Sequence, residues 1–147
     1  MELLCRRRKK NQPAIQPTER RDEVNLITIG AVRKISENET AIEILTPYRQ
    51  GLPGIATGDS LDILYWMHKL APDQRLVLRA HPRGDQSRPL KGVFGLRSPM
   101  RPNPIGVSSV RVIRVEQGRL IVTPFDAMDN SPVIDIKASA KNQPSSA

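Results

Sequence analysis

The chain is nearly devoid of cysteine, histidine and aromatic side chains, and each shortage removes a class of function. Cys5 is the sole cysteine among 147 residues. No internal disulfide can form, which points to a reducing, cytoplasmic setting. One cysteine and two histidines, His68 and His81, cannot furnish an ordinary closed zinc site, so no metal is expected. Aromatic residues make up 3% of the chain, namely Tyr48, Tyr65, Trp66, Phe94 and Phe125. A platform of rings for single-stranded bases draws on more, so any bound RNA should be held through phosphates and shape. No apolar run approaches the ~20 residues that span a bilayer. The start, Met1 to Cys5 followed by Arg6-Arg7-Arg8-Lys9-Lys10, carries its charge after the apolar residues, the reverse of a secretory signal. A soluble protein with no membrane partner is the expectation. Missing too are the glycine fingerprint of dinucleotide folds, the Walker loop, any internal repeat, and a nucleophile-elbow context for Ser98, Ser108 or Ser109.

Positive charge and proline are plentiful. Lysine and arginine number 23 against 15 acidic residues, a net charge of +8, and there are 13 prolines. That balance suits a polyanionic partner such as RNA, an acidic cofactor, or simply good solubility. Residues 1–22 combine the basic block with a polar stretch containing Pro13 and Pro17. Such a segment buries too little apolar surface to offset its ordering entropy, so a disordered basic arm is expected. Residues 138–147 are small and polar and read as a flexible tail. The folded body is then a single domain over residues 23–137.

Within that body the apolar pattern is strand-like. Val24 to Arg33 is a run rich in Val and Ile that reads as a buried strand. In Thr40 to Leu45, Ile42 and Ile44 share one face with Glu43 opposite, and in Leu61 to Met67 every second residue is apolar or aromatic. Arg75 to Ala80 alternates too, placing Leu76 and Leu78 together. Ser109 to Val115 and Arg119 to Thr123 flank Glu116-Gln117-Gly118 as a hairpin, and Val133 to Lys137 reads as a closing strand. Pro47 to Asp59 leaves room for one helical turn. About seven short strands with few helical turns predict an all-β barrel or sandwich.

The most informative segment is Gly92-Val93-Phe94-Gly95-Leu96-Arg97-Ser98-Pro99-Met100-Arg101-Pro102-Asn103-Pro104-Ile105-Gly106. Each proline fixes φ near −65° and restricts the residue before it. The loop therefore loses little freedom on ordering while presenting guanidinium forks and an amide. It reads either as a ligand platform or as a rigid connection between strands. Other polar residues gather at Met67-His68-Lys69, at His81-Pro82-Arg83-Gly84-Asp85, and at Asp126-Ala127-Met128-Asp129-Asn130-Ser131-Pro132. Each has a plainer reading: a strand-end histidine, a turn, and aspartates bonded to local backbone. Their number in so small a domain favours convergence on one site.

At these residues the chain resembles the TsaA-like family, whose members include TrmO-type tRNA methyltransferases. The matching segments are Gly92-Val93-Phe94, Arg97-Ser98-Pro99, Arg101-Pro102-Asn103-Pro104-Ile105-Gly106, Asp126-Ala127-Met128-Asp129, Pro132-Val133 and Asp135-Ile136-Lys137. Leu64 to His68 and His81 to Asp85 also match, and the likeness covers roughly residues 26–137. It implies a β-barrel that binds S-adenosyl-L-methionine, forms a homodimer and methylates N6 of threonylcarbamoyl-adenosine 37 in tRNA. It further implies cofactor contacts at His68, Lys69, Arg97, Val107, Thr123, Pro124, Phe125 and Asp126, with Arg101 and Asn103 shaping the pocket. Asp126 or Asp129 would be the catalytic proton acceptor. The chain departs from the bacterial pattern where its first strand runs almost directly on to Glu43, without the cofactor loop found there. The alternative is a β-barrel module that binds S-adenosylmethionine or RNA without turnover.

Overall fold

Alternation of apolar and polar side chains builds the walls of the fold. Along β3 (Ser60–Trp66), Leu61, Ile63 and Tyr65 point inward and are buried, while Asp62, Leu64 and Trp66 are partly covered. The same period places Val32 of β1 (Gly30–Lys34) and Ile42 and Ile44 of β2 (Thr40–Ile44) in the interior. Leu120 and Val122 of β7 (Arg119–Val122) and Val133 of β8 (Pro132–Ala138) complete it with Val110 and Val112 of β6 (Ile105–Glu116). Burying each such side chain contributes about 1.5–3 kcal/mol. The computed structural model describes residues 24–140; the basic arm expected over residues 1–22 and residues 141–147 of the expected tail lie outside them.

Six strands close into an antiparallel barrel in the order β1-β2-β7-β6-β3-β8, with β8 returning to pair β1. The 12-residue β6 turns a corner of this barrel. Its first half pairs β3, with Tyr65 opposite Gly106, and its second half pairs β7. Between them the register slips at Val112/Arg114, so Ile113 is the extra residue of a bulge that sharpens the bend. The β6–β7 hairpin turns at Gly118, whose φ of +73° suits glycine. After β3 the chain leaves the barrel and returns only at β6. This excursion carries a two-stranded ribbon, β4 (Arg79–Ala80) with β5 (Lys91–Gly92), followed by the proline-rich loop. Short 3-10 turns occur at Thr46–Gly51, Pro72–Leu76, Pro82–Gly84 and Val93–Gly95, the first three with a proline at their first or second residue. Among the described residues no helix is long and apolar enough to cross a membrane.

An all-β, single-domain barrel with few helical turns is what periodicity and resemblance led us to expect. Two stretches differ. Residues 24–29 precede β1 rather than forming it, and Val24, Leu26 and Ile27 are exposed. Arg75 to Ala80 is not one strand: its start belongs to a 3-10 turn, only Arg79–Ala80 pairs, and Leu76 and Leu78 face solvent. Its alternation has no second sheet to bury against, so the period signals nothing. At the other end the barrel continues past Lys137. β8 includes Ala138, and buried Ser139 donates its N–H to Ser60 O at 3.0 Å.

Candidate functional site

The proline loop owes its shape to a shortage of donors. Proline has no N–H, so carbonyls along such a loop need partners from elsewhere. Arg101 supplies them: Nε donates to Ser98 O at 2.8 Å, and Nη2 donates to Val93 O at 2.7 Å and Leu96 O at 2.6 Å. The loop is thus wrapped around its own guanidinium. Arg75 holds it from outside, donating from Nε to Pro102 O at 2.9 Å while its Cζ sits 5.2 Å from the Trp66 ring centroid. Arg97 ties it to β6 through Nη2 and Val107 O. Met67 N donates to Pro104 O at 2.7 Å, closing the loop onto the end of β3.

A second loop, residues 123–131, is fastened to β1. The Asp129 carboxylate accepts the Lys34 backbone N–H at 2.9 Å, and Asn130 N donates to Val32 O at 2.9 Å. Lys34 Nζ donates to Phe125 O and lies 5.3 Å from that ring's centroid. Phe125 in turn packs against Tyr65, with centroids 5.7 Å apart and planes tilted by 58°.

Between these loops and the ends of β3 and β6 opens a cavity of about 660 Å³, within the ~300–1,000 Å³ usual for small-ligand sites. Tyr65, Met67, Leu70, Leu96, Pro99, Ile105 and Val107 give it an apolar wall. Lys69 and Arg97 bring positive charge to it, and Asp126 brings negative charge. Lys69 and Asp126 form no hydrogen bond with any described residue. His68 lines the cavity, and its buried Nδ1 has no hydrogen-bond partner among the described residues. An unpartnered buried nitrogen costs about 1–3 kcal/mol. The arrangement suits a zwitterionic small molecule with a sizeable apolar or aromatic body.

Of the residues singled out from sequence, His68, Lys69, Arg97, Arg101, Val107 and Asp126 line the cavity together. Asn103, Thr123, Pro124, Phe125 and Asp129 do not. Thr123 extends the ladder instead, its Oγ1 accepting Arg111 N at 3.0 Å. Phe125 backs Tyr65, and the Asp129 carboxylate serves the backbone of β1. The His81 to Asp85 cluster lies outside the cavity and knits its own turn. Asp85 Oδ1 accepts Ser87 N at 3.0 Å and Ser87 Oγ at 2.6 Å, and His81 Nδ1 lies 2.6 Å from Arg88 O. Sequence reasoning missed Tyr65 and Ser108 as lining residues. Gly106 within a strand was the available signal, because such a glycine marks close approach. Among the described residues no three His, Cys, Asp or Glu side chains gather as a metal site.

Comparison with known proteins agrees with this architecture. The sequence profile of the tRNA-methyltransferase O N-terminal domain matches residues 31–143. A probable S-adenosyl-L-methionine-binding protein of Methanocaldococcus jannaschii is 42% identical over 110 residues, 74% of this chain and 86% of that one. An S-adenosyl-L-methionine-binding protein of Archaeoglobus fulgidus is 43% identical over 104 residues, 71% of each chain. The crystal structure of TrmO from Pseudomonas aeruginosa superimposes with a TM-score of 0.63 at 26% identity, covering 86% of this chain. The match spans 61% of that TrmO chain. The protein belongs to the family of the tRNA-methyltransferase O N-terminal domain.

Proposed function

We propose that the cavity binds S-adenosyl-L-methionine and that the protein methylates tRNA at N6 of threonylcarbamoyl-adenosine 37. The observation that carries this reading is that Lys69, Arg97, Asp126 and His68, whose buried Nδ1 has no hydrogen-bond partner among the described residues, line one cavity. The donor set fits the cofactor's chemistry. Lys69 and Arg97 match a carboxylate, Asp126 matches an ammonium or ribose hydroxyls, and the apolar wall with Tyr65 matches an adenine. When bound, the cofactor supplies a methyl group already activated on a sulfonium, so no protein nucleophile is required. The chain's task is alignment, and the stiff proline loop fastened by Arg101 and Arg75 suits it. Asp126 is the carboxylate at the cavity and accepts the proton released by the exocyclic adenine amine. The excess of positive charge draws tRNA through its phosphates.

A homodimer and a cytoplasmic setting belong to the same reading. Leu76, Leu78, Leu90 and Phe94 are exposed on the excursion beside the cavity and supply apolar surface for self-association. Light scattering of the full chain tests the dimer. Calorimetry with S-adenosylmethionine tests the pocket, and methyl transfer to tRNA with and without the threonylcarbamoyl group tests the reaction. A second reading, binding without turnover, is favoured by the engagement of Asp129 with Lys34, which leaves Asp126 without a second carboxylate at the cavity. Cofactor binding with no transfer to either tRNA would establish it.

A further inference from the structure

On the outer wall of the barrel, away from the cavity just described, lies a second concavity of about 290 Å³ that shares no lining residue with the first. Arg33 of β1, Arg49 of the 3-10 turn after β2 and Arg119 of β7 all line it. Strand register brings them together. Glu43 of β2 stands directly opposite Arg119 and beside Ala31, and Arg33 sits diagonally from it on the same face.

Each of the three guanidiniums is pinned through Nε. Arg33 donates to Glu43 Oε2 at 3.1 Å, Arg49 donates to Ile44 O at 2.9 Å, and Arg119 donates to Glu116 Oε2. Their terminal nitrogens form no hydrogen bond with any described residue. Arg49 also lies against the bare backbone of Gly118, where a Cβ would fall 2.6 Å from its Cζ and Nε. The glycine therefore serves the turn and makes room for the guanidinium. Three arginines line this concavity against one carboxylate, that of Glu43, with Glu116 bonded to Arg119 from outside. Glu43 and Glu116 offset Arg33 and Arg119, while Arg49 bonds only a carbonyl and leaves an excess positive charge that attracts an anion. Forks fixed through Nε, with both terminal nitrogens left over, match tetrahedral oxyanions and have little freedom to lose on binding. At this volume the concavity admits a phosphate group.

We propose that this concavity is a phosphate-binding site, taking either a phosphodiester of an RNA backbone or the phosphate of a small free compound. The proposal does not depend on the methyl-transfer reading.

The test follows the arginine Nε–Hε resonances of the full chain while inorganic pyrophosphate, or separately an RNA hairpin, is titrated at constant ionic strength. The signals of Arg33, Arg49 and Arg119 should move together and saturate. Arg49→Lys keeps the charge but loses the fork, and should weaken the effect about tenfold. Arg119→Gln provides a second reading should the first variant fold poorly. Displacement of pyrophosphate by the hairpin assigns the site to an RNA backbone. Saturation by pyrophosphate alone, with no response to the hairpin, assigns it to a free phosphate compound. If neither probe moves these three signals beyond what added sodium chloride does, the proposal is overturned.

Discussion

The Tyr65 ring lies against Gly106, its register partner across β3 and β6, so closely that a Cβ at 106 would fall 2.4 Å from Tyr65 Cζ. Both residues line the cavity, and the Tyr65 hydroxyl sits 3.4 Å from Ser108 Oγ on the same wall. Phe125 packs against the ring, and Lys34 lies over Phe125 in turn. Gly106→Ala must push the ring out of place. We expect a loss of about 1–3 kcal/mol in stability, as overpacking usually causes. An unchanged urea midpoint would refute the close contact.

Arg101→Lys should loosen the proline loop. An ammonium cannot span the carbonyls of Val93, Leu96 and Ser98 that the planar fork now satisfies. The cost is about 1–3 kcal/mol, with faster proteolytic cutting between residues 93 and 104. Cutting at the wild-type rate would show that the loop stands without its internal guanidinium.

The two aspartates separate function from structure. Asp129→Ala removes the acceptor of the Lys34 N–H and should lower stability by about 1 kcal/mol while sparing cofactor affinity. Asp126→Asn should keep the fold but loosen the cofactor, whose ammonium or ribose it faces, and lose about 100-fold in methyl transfer, as removal of a general base does. Equal transfer by Asp126→Asn and wild type would assign the proton elsewhere.

His68→Phe keeps a planar ring and deletes Nδ1, which bonds none of the described residues. Arg97→Ala deletes the fork that ties the loop to Val107 O. Each should raise the Kd for S-adenosylmethionine about tenfold in calorimetry. Two folded variants with wild-type affinity would remove the cofactor from this cavity.

Acid should weaken the barrel through Arg114. Its side-chain hydrogen bonds hold the carboxyls of Glu39 and Glu116 below their ordinary value of 4.5, with Arg119 assisting at Glu116. A carboxylate with a depressed folded pKa contributes stability above its unfolded value and loses it as pH falls through the folded one. The wild type should therefore lose more Tm than Arg114→Gln between pH 7 and 3. Salt should narrow the gap, since these groups are exposed. Parallel Tm curves at low salt would rule out the network's contribution.

The sequence by itself determined the strands whose alternation meets an opposing wall. Leu61, Ile63 and Tyr65, or Ile42 and Ile44, could be read directly, because burial on one face imposes a period of two. It also determined that the loop from Gly92 to Gly106 would be stiff, since proline restricts φ wherever it stands. Only the tertiary structure decided that Leu76 and Leu78, with the same alternation, remain in solvent, because their ribbon has no second layer. It alone distributed the roles of like residues. Arg101 gathered three carbonyls of its own loop, while Arg97 reached across to β6, and both line the cavity. Asp129 met a backbone N–H of β1, 95 residues away in sequence, while Asp126 at the cavity bonds none of the described residues. A side chain's type sets what it can bond. Which bond it makes depends on barrel closure, which brings strands distant in sequence within reach.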